Sequence, residues 1–86
     1  MISLNDFVKT TLRWMYYHGK IGGVHTPEGR ILRRMRFLPP NEKKEAINEW
    51  EHCIKQHQWV FRQKKTGEWH VTLNRATLPE VLREIQ

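Results

Sequence analysis

The pair Pro39-Pro40 sits near the middle of the chain and constrains its fold more than any other feature. Proline disfavours helical geometry in the residue before it and cannot donate to a ladder, so neither a helix nor a central strand runs through this point. Apolar residues recur at helical spacing on both sides. Before the pair, Ile31, Leu32, Met35 and Leu38 follow a start signal in Thr26-Pro27-Glu28. There a threonine can cap, a proline suits the first helical position, and a glutamate meets the positive end of the dipole. After the pair, Asn41 is the expected cap, and Ala46, Ile47, Trp50, Cys53, Ile54 and His57 share one face. Two helices joined by a stiff turn form the centre of the expected fold.

The flanking elements follow from the same kind of signal. Ser3 and Asp6 resemble a capping box ahead of Leu4, Phe7, Val8, Leu12 and Met15, and Gly19 supplies the stop. Ile21-Gly22-Gly23-Val24 is too short for a helix and predicts a brief strand. Trp59 and Phe61 alternate with Val60 and Arg62, and Trp69, Val71 and Leu73 alternate with His70 and Thr72. With Thr66-Gly67 between them, these runs predict a hairpin. A capping box at Thr77-Leu78-Pro79-Glu80 opens a last helix carrying Val81, Leu82 and Ile85. The expected class is α+β, one domain over 1–86, in the order helix, short strand, helix, helix, hairpin, helix.

An 86-residue chain buries only roughly 60% of its unfolded surface, which leaves little core for an enclosed catalytic cavity. No apolar run approaches the roughly 18 residues of a spanning helix, so no membrane partner is expected. The segment MISLNDF lacks the pattern of a signal peptide. A start at Met1 fits a complete chain or a domain of a longer one. Cys53 is the only cysteine, which points to a reducing, cytoplasmic setting without an internal disulfide. The net charge is +6 and it is segregated. Residues 26–40 carry four basic groups and one acid, 59–76 four and one, and 41–58 three and four. A segregated excess of this sign is the footprint of a polyanion site.

HTPEGRILRRMRFLPP, NEKKEAINEWEHCIKQHQWVFR and TGEWHVTLN, in that order, resemble the winged-helix family, a helix-turn-helix variant with a two-stranded wing. The resemblance covers about residues 3–74. T-P-E-G-R-I-L-R-R, a proline turn and a helix ending near Q-W-V are also similar to the small winged-helix modules of phage and plasmid replication proteins. The resemblance implies a three-stranded antiparallel sheet, with the short strand on the returning wing strand and the last helix against the first. It also implies a role in replication or transcription, with the third helix at the major groove and the wing on an adjacent phosphate strand or minor groove.

The candidate contacts fall on the three elements this geometry would present. On the second helix they are Arg30, Arg33, Arg34 and Arg36, whose planar forks suit phosphate oxygens; their alternative is a solvated rim over the core. On the third they are Lys44, Asn48, His52 and Lys55, with Glu42, Glu45 and Glu49 round the other flank. Asn48 can bond an adenine edge, although Glu51–Lys55 on the same face also reads as a solvated i,i+4 pair. On the wing they are Arg62, Lys64 and Lys65, more cations than protection of an edge strand needs. Duplex DNA is the favoured partner and a single strand the alternative. The four tryptophans read mainly as core. Trp14 and Tyr17 leave open a protein-binding scaffold, as a monomer or homodimer.

Catalysis and cofactors are not expected. Cys53 and His57 are four apart but lie on the buried stripe, and His18, His25, His52 and His70 follow no ligand pattern. Gly22-Gly23 lacks the spacing of a phosphate loop, and no serine or cysteine sits in a nucleophile motif.

Overall fold

The computed structural model describes residues 4–86. In chain order these form α1 (Asp6–Tyr17), β1 (Thr26–Pro27), α2 (Glu28–Met35), α3 (Pro40–Lys55), β2 (Val60–Lys65), β3 (Glu68–Leu73), a 3-10 turn (Arg75–Thr77) and α4 (Leu78–Ile85). The sheet is antiparallel with order β1-β3-β2. The register runs from Val60 opposite Leu73 to Lys65 opposite Glu68. Thr66 and Gly67 close the hairpin with φ of 46° and 82°, the left-handed pair that matches the twist of two joined strands. The fold is α+β with the element order the sequence predicts, a small winged-helix-like architecture.

One apolar cluster joins all layers. Val8, Leu12 and Met15 come from α1, Ile31 and Met35 from α2, and Ala46, Trp50 and Cys53 from α3. Trp59 at the start of the wing, Val60, Val71 and Leu73 of the sheet, and Val81 and Ile85 of α4 complete it. Helix α4 packs on α1, where the Arg13 Nε donates to the Ile85 carbonyl at 2.6 Å. Burial pushes the Cys53 thiol up to about 12, so it is an uncharged packing group.

Several boundaries differ from the sequence reading. The short strand forms at Thr26–Pro27, facing Val71 and His70, and not at 21–24. Gly22 has φ +67°, so the chain turns there, and Ile21 keeps only one isolated parallel bridge to Leu73. The buried Thr72 hydroxyl stabilises that turn, lying within 2.9 Å of the Gly22 and Val24 carbonyls. Thr26 is strand rather than cap, and Pro27 holds the cap position of α2 without a side-chain bond. Helix α3 starts at Pro40 with Pro39 as its cap, so Asn41 lies inside the first turn. Proline at that position removes a donor that would otherwise need a partner. The Asn5 side chain caps α1 by accepting from the Phe7 amide at 2.8 Å; Ser3 lies outside the described residues. Thr77 holds the cap position of α4 without a side-chain bond, and Asn74 caps the 3-10 turn before it, accepting from the Ala76 amide at 3.0 Å.

The wing also corrects the expected faces. Val60 is buried and Phe61 is 50% exposed, while Trp69 is 50% exposed at the outer end of the core-facing row. Leu32 and Ile47, expected inside, are exposed on the α2 and α3 flanks.

Truncating Leu12, which has no exposed surface, to alanine is expected to lower stability by about 2–5 kcal/mol. Phe37→Ala, at 86% exposure, should change it by less than about 0.5 kcal/mol. Urea denaturation followed by circular dichroism checks both.

Candidate nucleic-acid interface

The N-terminus of α2 sends its first acid inward. The Glu28 side chain is 4% exposed, a position where a carboxylate needs charge and hydrogen-bond partners. Three donors converge on its Oε2: Trp50 Nε1 at 2.7 Å, Arg62 Nη2 at 2.6 Å and Arg62 Nε at 3.1 Å. The same guanidinium donates to Glu51 Oε1 at 2.6 Å, and Glu51 also meets Lys55 at 3.4 Å. Arg62 thus binds α2 and α3 to β2, with its side chain only 21% exposed. This corrects its expected role, because two acids of the protein already occupy its fork. Lys55 is likewise paired, at the exposed edge of the same network.

The remaining expected cations stay available. Among the described residues, Lys55 and Arg62 are the only lysine and arginine within ion-pair distance of an acid. Arg30, Arg33, Arg34, Arg36, Lys44, Lys64 and Lys65 are all exposed. Two shared clefts connect most of them. Between α2 and α3, Arg36, Lys43, Lys44 and Asn48 surround Leu38, Pro40 and Ile47. Between α2 and the wing, Arg30 and Arg33 face Glu68 and Trp69, and Lys64 Nζ stands 5.8 Å from the Trp69 ring centre. Arg33 and Arg36 are one helical turn apart, so the clefts join in a stripe from Asn48 to Lys64. Arg30 and Arg34 also rim a third, narrower cavity over Trp14 and Phe7.

Three expected residues fall off that stripe, Arg34 among them, because it lines only the cavity over Trp14 and Phe7. Strand alternation sends Lys65 to the opposite face, the side on which Gln63 meets His25 at 3.2 Å. His52 lines neither cleft. Burial pushes the Glu49 carboxyl up, while the Asn5 amide, which donates to it at 2.7 Å, and His52 act against that rise. Glu42 and Glu45 share a groove with Asp6 at the α1 end, so most acids of α3 gather away from the stripe. Lys43 and Trp69 belong to the stripe but were not among the expected contacts. For Trp69, the signal available was its place as the second residue beyond Gly67, where a hairpin row runs past the core.

The histidines form no centre. His25 and His70 pack edge to face at 5.6 Å, His57 stacks on Trp59 and His18 on Trp14. Among the described residues no group of three His, Cys, Asp or Glu side chains could hold a metal ion, and no helix is long and apolar enough to cross a membrane. No family model matches the chain, and no curated protein or solved structure matches it significantly.

Removing Arg62 leaves Glu28 buried without its charge partner, so Arg62→Ala should cost about 3 kcal/mol in a denaturation experiment. The Arg62 guanidinium holds the Glu51 carboxyl below its ordinary 4.5, against a push upward from burial. A depressed carboxyl stabilises the fold above its unfolded value and loses that contribution as pH falls through the folded one. The stability difference between the native protein and Glu51→Gln should therefore be present at pH 6 and shrink below about 4.5.

Proposed function

We propose that this chain is a winged-helix module that binds double-stranded DNA through α2, the exposed flank of α3 and the tip of the wing, without catalysing a reaction. One observation carries the reading: cations from three elements lie along one stripe without acid partners, while Asp6, Glu42, Glu45 and Glu49 lie at the α1–α3 seam. An excess of arginine and lysine on one face attracts phosphates and gains affinity by releasing counterions. Arg33, Arg36 and Lys44 serve as backbone contacts, which set position but carry little sequence information. Asn48, the amide side chain lining the α2–α3 cleft, is suited to reading a base edge by pairing with adenine. A setting in replication or transcription accords with the winged-helix resemblance.

The second reading, a protein-docking scaffold, draws on α1. Tyr17 is 78% exposed there, and Trp14, half-buried, forms part of the cavity rimmed by Arg30 and Arg34. Absence of binding to duplex, single strand and RNA at low salt would favour it over the first.

For the first reading, Arg33→Ala/Arg36→Ala should weaken duplex binding across sequences and reduce the slope of log affinity against log salt by about 2. Lys64→Ala should have a larger effect than Lys65→Ala, because only Lys64 stands beside the stripe. Fluorescence anisotropy on a labelled duplex at several salt concentrations measures both. An unchanged slope in the double variant would remove α2 from the interface.

A further inference from the structure

We propose that the cleft between the wing and the first turns of α2 holds an unpaired base stacked on Trp69, so that the preferred ligand is duplex DNA with a single-stranded extension. The inference rests on the duplex-binding reading and names the form of DNA it selects.

The cleft is open, about 430 Å³, with Glu68 and Trp69 on the strand side and Pro27, Gly29, Arg30 and Arg33 on the helix side. A groove that only followed phosphates would need cations alone. This one contains an indole with half its surface in solvent, while the Glu68 carboxylate turns to the other face of the strand, 3.9 Å from His70 Nε2. An exposed indole offers a base a flat apolar surface, and stacking of this kind tolerates any sequence. Gly29 leaves the opposite wall open, since a side chain built there would meet nothing within 4 Å. Arg30 and Arg33 can then take the phosphates on either side of the stacked nucleotide, and Lys64, opposite Trp69 in the ladder, brackets the ring.

Duplex DNA offers no free base face along its length. The cleft also joins the α2–α3 stripe at Arg33, so one ligand can fill both only if duplex lies on the helices and the strand separates near the wing. That geometry describes the junction of an overhang or fork.

The test compares a blunt duplex, the same duplex with a short overhang, and the overhang strand alone. Each is titrated against the native protein, Trp69→Ala, Trp69→Phe and the control Phe61→Ala, whose ring lies on the other face of the wing. The native protein should bind the overhang duplex about tenfold tighter than the blunt one or the strand. Trp69→Ala should erase that preference, bringing the overhang duplex down to the affinity of the blunt one. Trp69→Phe should retain most of the preference, and Phe61→Ala all of it. In a second readout, 2-aminopurine at the first unpaired position should be quenched by the native protein. Equal affinity for blunt and overhang DNA, an equal loss on both in Trp69→Ala, strand binding as tight as the overhang duplex, or no quenching would overturn the inference. Failure to bind any of the DNAs would remove the duplex reading itself, and this one with it.

Discussion

The Glu28 carboxylate is the point on which the arrangement of the other parts depends. It is taken out of water at the start of α2 and is stabilised only because Trp50 from α3 and Arg62 from β2 both reach it. A buried ion pair adds little net stability when compared with a well-packed apolar pair, because desolvation offsets the attraction. Its effect here is geometric. Apolar contacts among Ile31, Met35 and Trp50 would tolerate small slides of one helix on another. A fork that must meet two carboxylates, one on each helix, would not. The pairing therefore sets the angle between α2 and α3 and the distance from both to the wing.

That arrangement divides the basic residues into two populations. Arg62 and Lys55 are held by Glu28 and Glu51, and they contribute to the scaffold. Arg33, Arg36, Lys44 and Lys64 have no such partners and keep their full field toward solvent. The acids are also divided. Glu28 and Glu51 act inside the network, while Glu42, Glu45 and Glu49 lie toward α1. A net charge of +6 is thus a poor guide to the surface. What matters for a polyanion is that neutralisation takes place below the stripe and not along it.

The order of elements was legible because each is punctuated by local chemistry: Gly19, the Pro39-Pro40 pair and Thr66-Gly67 act through backbone geometry, which tertiary packing seldom overrides. The short strand was misplaced because Gly22 looks the same in sequence whether it extends or turns, and a hydroxyl fifty residues away, at Thr72, decides between them. Arg62 was misread for a related reason. Its place near the tip of a basic hairpin suggests solvent, but strand parity turns it toward the helices, where acids from two other elements meet it. Trp69 shows the reverse case. Composition favours a buried indole, yet the strands extend beyond the helices they cover, so the last core-facing position has nothing above it.

Cys53 has a consequence of a different kind. Its thiol is buried on α3 beneath the sheet and kept in the neutral form by burial, and the thiolate is the form that attacks reagents. Alkylation or disulfide exchange at this single sulfur must wait until α3 leaves its neighbours. Reagent uptake thus clocks opening of the domain from within, with no probe attached to the outside.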